Sequence, residues 1–365
     1  VTVTGSGSTD TPAADGVNHY EYRTSTDGGT TWSATASGAS AVVSAEGTTL
    51  VQFRAVDGAG NASAWVPSPA VAGNTVKLDR GAPTNPTVSG ATGAWSNAAS
   101  VVVTASGSTD GGSAVTGYEY QTSLNGGAFS SSTAGSSVTV SAQGTTVVQF
   151  RSIDAAGNRS GWVQGTVKLD RTVPANPTVS GGSTSWSAAA SRTISASGAT
   201  DALSGLARYE YRTSANNGST WSATTAGASA VISAEGTTIV QFRSVDNAGN
   251  VSPWLPTTAG SSNTVKLDHT APSLPTVSGG SLTCTSSRIT IRASGSTDTL
   301  SGFSIYQYRY TTNAGTTWSA TFTGSSITIR SAGQYIVQFR SVDRVGNTSA
   351  WAPATAGPAN QACHT

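Results

Sequence analysis

The chain has 365 residues, 10% of them charged, and a net charge of +1. Ordinary soluble domains carry about 25% charged residues, and without a basic run there is no electrostatic footprint for nucleic acid or an anionic membrane surface. No stretch approaches the roughly 18 continuous apolar residues of a spanning helix. There is no Met, even at position 1, and no signal-peptide pattern, as expected of a mature or excised piece. His19, His269 and His364 lie in unrelated contexts, and no Gly-x-Ser-x-Gly, His-Glu-x-x-His or phosphate-loop motif occurs, so catalysis lacks its parts.

The segment Val-Gln-Phe-Arg-x-(Val/Ile)-Asp-x-x-Gly-Asn-x-Ser-x-Trp occurs at Val51–Trp65, Val148–Trp162, Val240–Trp254 and Val337–Trp351. A period of about 95 residues is too long for a solenoid unit, which folds only against its neighbours, and suits a small independent domain. Four domains follow, at residues 1–80, 81–171, 172–269 and 270–365.

In chain order, the first repeat opens directly in an alternating strand, VTVTGSG from Val1, followed by the polar loop Thr11–Val17 with Pro12. It lacks a counterpart of the Pro-containing opening segments Pro83–Ser100, Pro174–Ser191 and Pro272–Ser287, and with them its opening strand, strand A of the immunoglobulin order. The third repeat shows the full pattern: an opening strand at Pro177–Ser180, then the alternating strand Arg192–Ser197 and the polar loop Gly198–Gly205. Tyr209–Ser214 puts both tyrosines on one face, and Asn216-Asn217-Gly218 supplies the positive φ of a hairpin turn. Thr220–Trp221 begins the return, followed by Ala230–Ser233, Thr238–Val245 and the closing strand Asn263–Asp268. No segment has a helical period. Seven or so short strands per repeat predict an all-β chain of four tandem immunoglobulin-like antiparallel β-sandwiches forming an extended rod. Glu21, Glu119 and Glu210 should then meet Arg54, Arg151 and Arg243 across strands on the exposed outer face, with Gln307 against Arg340. Each such ion pair is worth about 0.2–1 kcal/mol.

The Phe-Arg-x-Val-Asp-x-x-Gly-Asn run, the Ser-Gly-x-Thr-Asp loop and the Leu-Asp-Arg-(Thr)-x-Pro linker resemble the bacterial immunoglobulin-like (Big-type) repeats of large surface adhesins and secreted repeat proteins. The resemblance covers all four copies. It implies an extracellular or bacterial cell-surface stalk whose partners are its own neighbouring repeats, and calcium bound at the junctions, as in related adhesin repeats.

The residues themselves offer a cation site. In this topology two loops and the incoming linker share one pole of each sandwich. They supply Asp79, Asp110 and Asp154 to the second repeat, Asp170, Asp201 and Asp246 to the third, and Asp268, Asp298 and Asp343 to the fourth. Three carboxylates with nearby carbonyls suit Ca²⁺, which takes 6–8 oxygens; the plainer reading is that each Asp caps its own turn. Trp32, Trp221 and Trp318, with Phe129 in the second copy, and Trp65, Trp162, Trp254 and Trp351 could stack sugars, but recurrence in every copy points first to packing. Asn61, Asn158, Asn250 and Asn347 stand in Asn-x-Ser, a glycosylation sequon or simply a Gly-Asn turn.

Cys284 and Cys363 are the only cysteines, and both lie in the last repeat. Opening and closing strands adjoin in this fold, so a Cys284–Cys363 disulfide capping the terminal repeat is expected, together with an oxidising compartment. The leading function is a structural spacer stiffened by calcium. The alternatives are a glycan- or protein-binding module, which should carry one divergent aromatic-rich loop, and a filament subunit self-assembling by donation of the strand that the first repeat lacks.

Overall fold

Alternation of apolar and polar residues decides the architecture: every regular element among the described residues is a strand. The computed structural model describes residues 1–11, 15–67 and 72–365. Pro12 and its two successors, in the first-repeat loop, lie outside them. The chain divides into two units, Val1–Arg171 and Thr172–Thr365.

In the second unit, Thr178–Ser180, Arg192–Ser197 and Ser229–Ile232 form a three-stranded sheet. Facing it is a five-stranded sheet in the order Trp186–Ser187, Thr264–Leu267, Gly236–Asp246, Leu206–Ser214, Thr225–Ala226. Period-2 alternation turns Ile194, Ala196, Ala230 and Ile232 of the first sheet onto Val240, Phe242, Val265 and Leu267 of the second. The fourth repeat duplicates this with Thr276–Ser278, Ile289–Ser294 and Ser326–Ile329 against Phe322–Thr323, Phe303–Thr311, Gly333–Asp343 and Gln361–His364. In the first unit the second repeat has the same two sheets around Val103, Val148, Phe150 and Leu169. The first repeat has only Thr2–Thr4 with Ser40–Val42 facing a four-stranded sheet, and a correspondingly smaller core.

Two details of the sequence reading need correction. The return after the Asn216 turn is not at Thr220–Trp221 but at Thr225–Ala226. Asn216 Oδ1 accepts the Thr220 N–H at 2.9 Å and keeps that residue in the turn, while Asn217 and Gly218 take φ of 58° and 85°. The opening segments also contain a second short strand. Trp95–Ser96 and Trp186–Ser187 pair parallel with the closing strands, so that Trp95 lies opposite Lys168 and Trp186 opposite Lys266. Each lysine sits over its indole, at 5.9 and 5.7 Å from the ring centroid. In the fourth repeat the disulfide Cys284–Cys363 takes this place, with Cα atoms 4.3 Å apart and Thr285 bridging to His364 in parallel.

The cross-strand acid–base pairs form on the predicted face. Arg54 Nε meets Glu21 at 2.6 Å, Arg243 meets Glu210 at 2.7 Å, Arg151 bonds Glu119, and Arg340 donates to Gln307 at 2.8 Å. They are less exposed than expected, with Glu119 and Glu210 buried. Each of the two takes a second arginine, Arg159 at 3.1 Å and Arg208 at 2.6 Å, and tryptophans stack on the guanidinium groups of the cross-strand partners. Arg212 lies between Trp221 and Trp254, and Trp254 in turn between Arg212 and Arg243, all at 4.5–4.6 Å. The same alternating stack runs Trp32–Arg23–Trp65–Arg54 and Trp318–Arg309–Trp351–Arg340. In the second repeat Gln121 and Phe129 leave only Arg151 over Trp162. The indoles are therefore neither core residues nor a bare coplanar platform; each is half-buried against guanidinium faces, a contact worth roughly 0.5–2 kcal/mol.

Candidate metal centres at the loop pole

Each central strand ends on an aspartate that clamps the following loop. Asp154 Oδ1 accepts the Asn158 N–H at 2.8 Å and its other oxygen accepts Asn158 Nδ2 at 2.8 Å, with Gly157 at φ 90° making the turn. Asp57, Asp246 and Asp343 hold Asn61, Asn250 and Asn347 in the same way. The amides of the four sequons are thus turn clamps. Asp110, Asp201 and Asp298 likewise cap their loops, accepting from Ser113, Ser204 and Gly302 N–H at 2.6–2.9 Å. The plain turn-capping role is real at every one of these positions.

The third carboxylate comes from the linker. In the first unit, Asp79, Asp110 and Asp154 bring one oxygen each to within 4.8 Å of one another. Asp79 Oδ1 accepts the Gly81 N–H at 2.9 Å, whereas Asp79 Oδ2 is buried without a hydrogen-bond partner. Gly112 abuts this carboxylate so closely that a Cβ there would come 2.6 Å from Asp79 Cγ. Asn158 Nδ2 also reaches across to the Asp79 carbonyl at 3.2 Å. In the second unit, Asp268, Asp298 and Asp343 converge equally. Asp268 accepts Thr270 and Ser301 N–H, and Asn347 Nδ2 donates to the Asp268 carbonyl at 2.9 Å. Ser113 Oγ and Ser301 Oγ, at matching positions in the two loops, are buried without partners. Among the described residues no Lys, Arg or His lies within ion-pair distance of either set.

Of the remaining sequence-derived set, Asp201 and Asp246 come together in the second unit, while Asp170 directly follows the closing strand Val163–Leu169 of the first unit, its N–H donating to Ser96 O at 3.0 Å. One cluster escaped the sequence reading. Asp10, Asp15 and Asp57 meet within 4.8 Å in the first repeat. Asp10 and Asp57 match Asp110 and Asp154 by position, so the pair was legible; Asp15 was missed because it comes from the loop itself.

Asn61 holds the Asp57 carboxyl below its ordinary value, through its side-chain amide first and then its backbone N–H. At Asp154, desolvation raises the pKa, but the Asn158 amide and the loop N–H groups outweigh it and the net shift is downward. A carboxylate with a depressed folded pKa contributes stability that is fully present above its unfolded value, near 4, and is lost as pH falls through the folded one. Asn158→Ala should therefore flatten the loss of stability as pH falls below about 4. Urea unfolding across that range checks it; an unchanged acid limb would remove Asn158 as the cause.

No protein-family model matches the chain, and no curated protein matches it. Among solved structures, the chain is similar to the FN1-FN3 domains of chicken CNTN1, with 15% of residues identical, coverage of 75% of this chain and 97% of that one, and a TM-score of 0.25.

Proposed function

We propose that the chain is a non-catalytic spacer of an extracellular, surface-attached repeat protein of the bacterial adhesin kind, and that Ca²⁺ ties its successive repeats together. The observation that carries this reading is the Asp79–Asp110–Asp154 set, in which residues of two adjoining repeats pool three carboxylates around a buried, unpartnered oxygen. Three like charges within 4.8 Å repel by about 3 kcal/mol per pair at an effective dielectric near 20. A divalent cation turns that cost into attraction, and the donors are the hard oxygens Ca²⁺ prefers. When bound, the ion would be held by Asp79, Asp110 and Asp154, and in the second unit by Asp268, Asp298 and Asp343. The paired state of both cysteines supports an oxidising, extracellular setting. Calcium titration of the metal-free chain tests the reading; no binding at millimolar Ca²⁺ would remove it.

A second reading, a glycan-binding module, is favoured by one feature of the fourth repeat. Tyr310, Phe322 and Tyr335 stand where the third repeat has Thr213, Thr225 and Thr238. Phe322 stacks on Tyr308 and Tyr310 and remains 41% exposed, and Tyr335 packs on Tyr310. The other repeats fold without these rings, so their presence suits the stacking face of a sugar with phenolic hydroxyls beside it. Phe322→Ala should then abolish capture on a glycan array while leaving the melting temperature within about a degree. Equal capture by both proteins would end this reading.

A further inference from the structure

Alternation fixes which way the strands of the fourth repeat face. Ile289, Ile291 and Ala293 of one strand and Ile329 of its neighbour are buried, with Ile289 paired to Ile329 and Ile291 to Ile327. Thr290, Arg292 and Thr328, which lie between them, therefore stand on the outer face of the three-stranded sheet, where the hydroxyls of Thr290 and Thr328 meet at 3.0 Å. Ser326 pairs with Arg292 on one side and Ser278 on the other. Arg288, just before the first strand, and Arg330, just after the second, extend this face.

In the other repeats the same places are hydroxyls. Arg288 answers to Ser100 and Ser191, Arg292 to Thr4, Thr104 and Ser195, and Arg330 to Ser44, Ser141 and Ser233. Those repeats fold without a cation there. The register sets Arg288 opposite Arg330, and like charges facing across strands repel, so packing does not account for the pair. Nor do other contacts. Among the described residues, Arg288, Arg292, Arg330 and Arg344 are the arginines whose side chains make no hydrogen bond, ion pair or ring contact, and all four are exposed in this one repeat. Its only acids are Asp298 and Asp343, both at the loop pole.

We propose that this face binds an acidic polysaccharide, with Arg288, Arg292 and Arg330 taking its carboxylate or sulfate groups and the Thr290, Ser326 and Thr328 hydroxyls bonding the sugar. Forked guanidinium donors suit such oxyanions. Arg288 and Arg292 are four residues apart, about 13 Å along a strand, which calls for an anion repeated along an extended chain. Among its described residues the face carries no aromatic ring on which a nucleic-acid base would stack and no exposed large apolar side chain to enter a lipid surface. It is separate from Phe322, which belongs to the other sheet.

The test is surface plasmon resonance of the full chain, in chelator, over dextran, carboxymethyl-dextran and dextran sulfate. Saturable binding to the two acidic polymers and none to dextran is expected, weakening as salt is raised. The triple variant Arg288→Ser, Arg292→Ser, Arg330→Ser, which installs the residues of the third repeat, should bind roughly thirtyfold more weakly, about threefold for each exposed guanidinium–anion contact, and melt no lower than the parent. Arg344→Asn, which removes an equally free cation at the loop pole, should bind like the parent. No binding to either acidic polymer overturns the proposal, as does a triple variant that binds like the parent. A loss on Arg344→Asn equal to that on Arg292→Ser would overturn it in favour of bulk charge, and tighter binding to a DNA duplex in favour of nucleic acid.

Discussion

Adding Ca²⁺ to the metal-free chain should raise its melting temperature, and Asp79→Asn should remove the part belonging to the first unit. At a free concentration a hundredfold above Kd, one site contributes about 2.7 kcal/mol. For a unit of this size that is a shift of roughly 5–10 °C. Asp79 is the informative position because Asp110 and Asp154 have a second duty. Both cap their own loops, so their loss would destabilise the chain with or without the ion. Asp79 uses Oδ1 for the Gly81 N–H and leaves Oδ2 buried and unpartnered. In calcium-free buffer Asp79→Asn should be neutral or slightly stabilising, since it relieves repulsion. In saturating calcium it should be destabilising. Differential scanning calorimetry in chelator and in calcium reads this change of sign, and equal effects in both buffers would contradict it.

Reducing the Cys284–Cys363 bond, or replacing both residues by serine, should cost the second unit about 2–4 kcal/mol. The bond closes a separation of 79 residues, for which the chain-entropy limit is about 4.5 kcal/mol. The expected fall in melting temperature is roughly 5–15 °C, confined to the second unit. The other repeats show what the bond replaces. At the same register Trp95 meets Lys168 and Trp186 meets Lys266. A Cys284→Trp, Cys363→Lys double variant should therefore recover about 1 kcal/mol of the loss relative to the serine pair. Calorimetry of the three proteins decides it; a serine variant melting like the parent would show that the bond is incidental.

The sheet assignments were legible because one sequence pattern was written four times. Strand Arg192–Ser197 was read with its observed bounds, and Glu210 and Arg243 were placed opposite each other from period-2 facing alone. The disulfide followed from the adjacency of opening and closing strands. What escaped depended on side chains meeting at a distance in sequence. The Arg–Trp stacks need Arg212, Trp221, Trp254 and Arg243 on one sheet face, and spacing does not announce a cation over a ring. Trp186–Ser187 is two residues long, too short for periodicity to register. The acidic sets were named from topology. That each aspartate would serve its own turn and still converge with its neighbours follows only from coordinates, as does the joining of Asp15 to Asp10 and Asp57 in the first repeat.

The central claim is that the junction carboxylates hold calcium, and bound calcium per chain measures it most directly. Equilibrium dialysis of the parent chain against the Asp79→Asn, Asp268→Asn double variant should show two fewer tightly bound ions in the variant. No bound calcium in the parent, or the same number in both proteins, would contradict it.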